Sequence, residues 1–312
     1  MAKKTNFFII GAAKAGTTSL FKYLEQHPDI YFSPIKEPNY FSDDILVEKF
    51  SSTYKKNNFL DTDSYFSQKR LKEIHLSFVR EKSQYERLFK NVKNETAVGE
   101  CSTSYLYSKN AATNIFEYNS NVKIIAILRN PIERAYSHYL MALRFGYTKL
   151  PFREAVEKDL NSTKKGWGIS ELFVELGQYH LQLKRYFDVF PKRNIQILFF
   201  EDLKADEEKT IKSIFDFLEL KNFNINTSES FNVRKVPKFK FFNEFLTKSG
   251  IKKMIQNVFS DKFLTKLDRY YFSNNDIPKI NKKDKEFLLE IFRDDIQRTS
   301  ELLGRELGGW VK

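Results

Sequence analysis

Short apolar runs alternate with longer segments in which apolar residues recur at helical spacing. The runs at residues 6–10, 122–128 and 194–203 predict buried β-strands. Helical spacing follows them in residues 17–26, 131–145 and 206–220. Alternating strands and helices favour an α/β fold with a mostly parallel sheet flanked by helices.

The rest of the chain has weaker patterns. Residues 27–42 predict an extended, proline-punctuated segment, 96–107 a short strand running into a polar turn, and 177–190 a helix. Residues 43–95 are polar and rich in lysine and asparagine, which indicates a lid or an insertion. The region from Phe231 onward is basic and helical. Because no repeat or clean boundary interrupts the pattern, residues 1–312 are predicted to form one domain.

Composition narrows the class of protein. Hydrophobic residues make up 41% and charged residues 29% of the chain, as in an ordinary globular protein. The net charge of +12 favours polyanionic partners, such as nucleotides or acidic glycans, although a general lysine bias would give the same number. The single cysteine, Cys101, excludes a disulfide within the chain and fits a reducing compartment. With no stretch near 18 apolar residues, a cytoplasmic protein is predicted.

The segment FFIIGAAKAGTTSL has the strand, glycine-rich loop and helix start of a phosphate-binding loop. Gly11 and Gly16 have Walker A spacing, but the lysine lies inside the loop, at Lys14. Amide groups at a helix N-terminus, a lysine and three hydroxyls can hold a phosphate or a sulfate. The candidate anion-binding residues are Gly11, Ala12, Ala13, Lys14, Ala15, Gly16, Thr17, Thr18 and Ser19. The alternative is a glycine-rich turn that binds nothing.

A second candidate anion site lies in LRNPIERAYSHY. Arg129 follows a strand, at the sheet edge where open α/β sheets bind ligands, and Ser137 lies about two turns into the next helix. A guanidinium group and a hydroxyl can hold a second phosphate. Taken alone, an arginine after a strand is more often part of a surface ion pair.

These two segments, in this order, resemble the family of sulfotransferases that depend on PAPS (3′-phosphoadenosine 5′-phosphosulfate). The resemblance is to the branch with glycan sulfotransferases and bacterial relatives. GAAKAGTTSL is similar to the family's 5′-phosphosulfate loop, and ILRNPIERAYSHY to its 3′-phosphate strand and helix. SPIKEPNYFS is similar to its segment with an acidic catalytic residue, and GECSTSYLY and LLGRELGGW also match. The resemblance covers nearly the whole chain and implies a P-loop-NTPase-like sulfotransferase fold.

The resemblance also implies roles. Lys14 would act at the bridging oxygen between phosphate and sulfate, and Glu37 would be the general base. Thr17, Thr18 and Ser19 would hold the 5′ end of PAPS, and Arg129 and Ser137 the 3′-phosphate, which remains in the product PAP. Arg234 and Lys235, with Lys238, fall in a late loop over the 3′-phosphate, and a solvated basic loop is an equal alternative. Since a sulfuryl group carries less charge than a phosphoryl group, no metal is expected.

Some residues leave alternatives open. Glu37 could be a solvated loop carboxylate with Lys36 as surface charge, and His27 is a weaker candidate base. His138 and His180 are expected on helices, in packing or at the surface. Where the glycan branch often has Glu-Lys-Thr, this chain has Glu100, Cys101 and Ser102, so that second lysine is absent. Cys101 is then expected to be a buried small side chain, and Glu100 or Ser102 to line the acceptor site.

The sequence therefore predicts transfer of a sulfuryl group from PAPS to a hydroxyl or an amine of a glycan or small metabolite. Residues 43–95 and 231–275 are expected to shape the acceptor site. No nucleic-acid motif is present, and neither a nucleic-acid partner nor a membrane span is expected. The alternatives are a P-loop nucleotide kinase, which lacks a lysine after Gly16 and a Walker B aspartate, and a non-catalytic PAP-binding protein.

Overall fold

The computed structural model describes residues 4–58, 61–227, 236–237, 272–273 and 278–311. The chain divides into two compact units. The first unit comprises Met1–Ile45, Leu60–Arg129 and Tyr179–Asn232, and the second Leu46–Phe59, Asn130–Gln178 and Val233–Lys312. A single domain over residues 1–312 stays a prediction.

A five-stranded parallel sheet forms the centre of the first unit, with strand order β2-β5-β1-β6-β7. Its strands are β1 (Phe7–Gly11), β2 (Ile30–Phe32), β5 (Ala97–Glu100), β6 (Lys123–Leu128) and β7 (Ile195–Phe199). The central strand β1 is buried along its whole length, as the apolar run in the sequence predicts. Each parallel pair of neighbours requires a crossover connection, and helices supply these. The predicted mostly parallel α/β architecture is confirmed.

Helices flank this sheet within the first unit, and α1 packs against α11. They are α1 (Thr17–Leu24), α3 (Thr62–Ser67), α4 (Lys82–Arg87), α5 (Ser104–Tyr107), α6 (Ala111–Tyr118), α9 (Tyr179–Phe187), α10 (Phe200–Ala205) and α11 (Glu207–Phe217). The strand predicted over residues 194–203 is too long, because β7 ends at Phe199 and α10 begins directly after it. Glu201 and Asp202 lie in the first turn of α10, where acidic side chains favour a helix start.

A second, two-stranded parallel sheet lies in the first unit. Strand β3 (Ile35–Glu37) pairs with β4 (Ile74–Leu76), with Ile35 opposite Ile74 and Glu37 opposite Leu76. Strand β3 belongs to the segment predicted to be extended, whereas β4 belongs to the polar region predicted to be a lid or an insertion. Part of that region is therefore paired directly with the strand that carries Glu37.

The second unit contains α2 (Ser52–Asn58), α7 (Pro131–Phe145), α8 (Phe152–Leu160), α12 (Lys282–Leu303) and the short antiparallel strands β8 (Val236–Pro237) and β9 (Phe272–Ser273). Helix α7 packs against α8 and α12. Asn130 caps α7, because its Oδ1 accepts hydrogen bonds from the amides of Ile132 and Glu133, as the Asn-Pro pair predicts. Within the described ranges, no helix combines the length and the apolar character needed to cross a bilayer.

Candidate active site

The loop between β1 and α1 has the conformation of an anion-binding turn. Lys14 has φ 69° and Gly16, directly before the helix, has φ 99°, both in the left-handed region. A Cβ atom on Gly16 would lie 2.8 Å from Cδ2 of Phe200, so the position requires glycine for space as well as for its backbone angle. The first turn of α1, a helix described throughout, carries no acidic residue. Its amide groups and positive dipole end can therefore face an anion.

Arg129 supports this loop from the end of β6. Its Nη1 donates a hydrogen bond to the carbonyl oxygen of Lys14 at 3.2 Å, and its guanidinium lies 4.7 Å from the centre of the Phe200 ring. The hydroxyl of Tyr179 donates to the Arg129 carbonyl at 2.8 Å. Arg129 is buried, so the alternative of a surface ion pair does not apply. Arg129 thus connects the end of β6 to the candidate phosphate loop.

The other residues predicted to hold the 3′-phosphate belong to other parts of the chain. Ser137 is buried on α7, which belongs to the second unit. Arg234, Lys235 and Lys238 lie outside the described residues. Their predicted roles stay predictions.

Glu37 ends β3 as a buried carboxylate, only 5% exposed. Nζ of Lys36 donates to its Oε1 at 2.8 Å, and the hydroxyl and amide of Thr103 donate to its Oε2 at 2.8 and 3.3 Å. Nε2 of His75, on β4, lies 3.6 Å from Oε1. The alternative of a solvated loop carboxylate is therefore wrong.

Electrostatics keep Glu37 ionised. Burial alone would raise its pKa, but the Lys36 ammonium, His75 and the hydrogen bond from Thr103 hold the pKa below its usual range. Lys36 keeps its proton for the matching reason: burial alone would lower its pKa, but the Glu37 carboxylate to which it donates a hydrogen bond acts in the opposite direction, and the pKa lies above its usual range. The result is a carboxylate that can accept a hydrogen bond or orient a neighbouring group at neutral pH.

Cys101 connects this carboxylate site to the phosphate loop. Its thiol lies beside Lys36, and its Sγ lies 3.9 Å from the carbonyl oxygen of Thr17 in the first turn of α1. Burial raises the pKa of the thiol to about 12, so Cys101 is a neutral, buried side chain, as the sequence predicts. Cys101 therefore lies near both the Lys36–Glu37 pair and the first turn of α1, the helix that follows the loop.

Three residues of the Glu37 environment were not predicted from the sequence. Lys36 was interpreted as possible surface charge, His75 lies in the region predicted to be an insertion, and Thr103 in a polar turn. The sequence shows that Lys36 is next to Glu37, but it does not show that Lys36 is buried. His75 gave no signal, because its position depends on the pairing of β4 with β3 across more than thirty residues.

Glu100 and Ser102 do not line an acceptor site, which corrects the expectation above. Both are fully buried. Oε1 of Glu100 accepts hydrogen bonds from the hydroxyls of Tyr85 and Tyr105 at 2.8 and 2.9 Å, and Oε2 accepts one from Ser102 at 2.7 Å. Burial raises the pKa of Glu100 to about 7, although these three hydrogen bonds act in the opposite direction. The cluster is part of the buried interior at the end of β5.

This raised pKa makes the stability of the fold depend on pH. Folding favours the protonated form of Glu100, so the stabilisation is complete at low pH and is lost as the pH rises through about 7. Between pH 5.5 and 8, Glu100 should reduce the free energy of unfolding by about 2 kcal/mol. Denaturant titrations should show this decrease in the wild type and a smaller one in Glu100→Gln. If the free energy of unfolding fell by the same amount between pH 5.5 and 8 in the two proteins, the prediction would be contradicted.

The other three histidines, His27, His138 and His180, lie in surroundings typical of structural residues. Nε2 of His27 lies 2.9 Å from the carbonyl oxygen of Lys221, and its Nδ1 accepts a hydrogen bond from the amide of Asp29. Both ring nitrogens are used, so His27 is not placed to act as the base. His138 and His180 lie on α7 and α9, as expected, and His138 is buried.

Comparison with known proteins identifies the family. A family model described as a sulfotransferase domain matches residues 4–284. Human carbohydrate sulfotransferase 15 is 26% identical over 254 residues, which cover 69% of this chain and 44% of that protein. Human heparan sulfate glucosamine 3-O-sulfotransferase 6 is 24% identical over 228 residues, which cover 73% and 56%. The chain spans about half the length of these two relatives.

A solved structure has the same fold. The sulfotransferase from Alicyclobacillus acidocaldarius matches with a TM-score of 0.69 and 27% identity, over 99% of this chain and 100% of that chain. The P-loop-like sulfotransferase fold is thereby confirmed, and the nucleotide-kinase alternative loses its basis. Since the family model covers most of the sequence, the chain belongs to the sulfotransferase family.

Proposed function

We propose that this protein transfers a sulfuryl group from PAPS to a hydroxyl or an amine of an acceptor. One observation carries the proposal: Cys101 lies beside the buried Lys36–Glu37 ion pair, and its Sγ lies 3.9 Å from the carbonyl oxygen of Thr17 in the first turn of α1, the helix that follows the candidate phosphate loop. Family membership gives the reaction class. A loop that binds an anion next to a carboxylate is suited to removing a proton where a charged group is transferred.

The residues of the loop fit an anionic donor. Lys14, the hydroxyls of Thr17, Thr18 and Ser19, and the first amide groups of α1 form a set of donors and positive charge. PAPS supplies an activated sulfuryl group on its 5′-phosphate. Within the first unit, Lys14 would stabilise charge that develops on the departing oxygen, and Arg129 would hold the loop and the 3′-phosphate. Ser137, Arg234 and Lys235 are further candidates for the 3′-phosphate.

Glu37 is the residue on which we propose that proton removal depends. An attacking hydroxyl must lose its proton as its oxygen bonds to sulfur, and a preorganised base accelerates such a step. Lys36 and Thr103 fix the Glu37 carboxylate in one position. Its buried charge is therefore available without rearrangement.

A glycan or a small metabolite is the proposed acceptor class. The names of the two human relatives refer to carbohydrate and to the 3-O position of heparan sulfate glucosamine, which supports a sugar hydroxyl. The net charge of +12 is compatible with an acidic glycan. Residues 43–95 and 231–275 are the proposed acceptor-binding segments, and most of the second segment lies outside the described residues.

The test is nucleotide binding combined with transfer. Calorimetry in EDTA should show PAP binding with a Kd in the micromolar range or below, and PAPS labelled in its sulfuryl group should label at least one member of a panel of sugars, glycans and phenols. Binding that requires Mg²⁺ would contradict the proposed donor site. Tight PAP binding without transfer to any acceptor, and without PAPS hydrolysis, would favour the non-catalytic alternative.

A further inference from the structure

The surroundings of Glu37 make its carboxylate poorly suited to accept a proton directly. Both of its oxygens already accept hydrogen bonds, Oε1 from Lys36 and Oε2 from Thr103. Only 5% of the residue is exposed, and its pKa is held below the usual range. A carboxylate in this state binds a proton weakly. Its fixed negative charge is better suited to orienting a neighbouring base.

His75 is the neighbour in a position to be that base. The register of β3 and β4 sets Ile35 opposite Ile74 and Glu37 opposite Leu76, which puts His75 level with Lys36. Its Nε2 lies 3.6 Å from Oε1 of Glu37, and 64% of its side chain is exposed. This separation is slightly longer than a hydrogen bond, as is common for catalytic pairs before substrate binds. The imidazole is therefore both paired with the carboxylate and open to an acceptor.

The surroundings of His75 favour the neutral form of its imidazole. Desolvation by the surrounding protein and the ammonium groups of Lys36 and Lys14 lower its pKa, and the Glu37 carboxylate acts in the opposite direction. A neutral imidazole can accept a proton, and the adjacent carboxylate stabilises the imidazolium that results.

We propose that Glu37 and His75 form a dyad in which His75 takes the proton of the acceptor and Glu37 acts through it. Nε2–H of His75 faces Oε1 of Glu37, which leaves Nδ1 with the lone pair. As the acceptor oxygen bonds to sulfur, its O–H bond breaks and the proton moves to Nδ1. The S–O bond to the 5′-phosphate breaks, and its electron pair stays on the phosphate oxygen of PAP. The exposed imidazolium then releases the proton to water, and Glu37 stays ionised throughout.

The inference rests on the proposed function, and its kinetic test separates the two. His75→Gln should lower kcat by about 10², the lower end of the range for loss of a general base, with PAP affinity unchanged. The wild type should lose activity in acid with a midpoint below 6.5, the ordinary pKa of histidine, and the variant should lack this limb. The matched control is Glu73→Gln, because Glu73 is exposed and directly precedes β4, and this variant should keep wild-type kcat. His75→Asn serves as a second variant.

A structural readout independent of turnover tests the pairing. The ring ¹⁵N signals of His75, assigned by comparison with His75→Gln among the four histidines, should show the Nε2–H form in the wild type. Glu37→Gln should lower the pKa of His75 and Lys14→Ala should raise it, because the two charges act in opposite directions. These titrations need neither donor nor acceptor.

Each outcome decides between the proposals. Wild-type transfer together with near-normal kcat in both His75 variants would overturn the dyad and leave the proposed function intact. A wild type that transfers to no acceptor would overturn the proposed function and the base role together. A His75 pKa that ignores Glu37→Gln, or a ring protonated on Nδ1, would overturn the pairing itself.

Discussion

Glu37→Gln is expected to lower turnover by about 10²–10⁴, the range for loss of a general base, while leaving PAP affinity nearly unchanged. The amide keeps the shape of the carboxylate and can still accept from Thr103, but it removes the negative charge. Without that charge, residue 37 can neither take up the proton itself nor stabilise an imidazolium at His75. Transfer from labelled PAPS measures turnover, and calorimetry with PAP measures binding.

The control for this variant concerns the buried ion pair. Removing Glu37 leaves the Lys36 ammonium buried without its carboxylate, and such a change can cost about 3–5 kcal/mol of stability. The double variant Lys36→Gln, Glu37→Gln removes both charges and should regain stability without regaining turnover. Turnover that recovered in the double variant would assign the loss to folding, and near-wild-type turnover in Glu37→Gln would refute a role in proton removal.

Lys14→Ala is expected to lower kcat by about 10²–10³, the typical loss when one preorganised donor at a developing charge is removed. PAP binding should weaken much less, because the hydroxyls and amide groups of the loop remain. The expectation follows from the position of Lys14 inside the loop and not after its second glycine. Single-turnover transfer and PAP calorimetry measure the two quantities separately.

Lys22→Ala is the matched control for this prediction. Lys22 lies on α1, the helix that follows the loop, is partly exposed and pairs with Glu25, so its removal should change kcat little. Because the alanine of Lys14→Ala must keep a positive φ, a melting curve should accompany the kinetics. Losses of equal size in kcat and in PAP affinity would mean that Lys14 only binds the nucleotide.

Much of the fold could be predicted because its signals in the sequence are local. The apolar run of β1, the glycines of the loop and the Asn-Pro pair before α7 each specify their own conformation within a few residues. The end of β7 was harder, since Phe200 continues the apolar run although it begins a helix. Apolar character alone does not separate a strand from a helix that starts directly after it.

The candidate site was predictable only for residues that belong to a motif. Glu37 and Lys14 lie in recognisable segments, and Cys101 lies near both the Lys36–Glu37 pair and the first turn of α1. The burial of Lys36 and the position of His75 depend on the pairing of β3 with β4. Such a pairing joins distant parts of the chain and leaves no periodic pattern in a three-residue strand.

The pairing of β3 with β4 also limits how this protein could be redesigned. Residues 43–95 have the polar composition of a replaceable module, and exchanging them with a relative's segment would be an obvious way to change acceptor preference. That exchange would take away β4, the hydrogen-bonding neighbour of the strand that ends in Glu37, and His75 with it. A chimera that retains residues 74–76 and grafts only the flanking loops would preserve the edge on which the carboxylate is held.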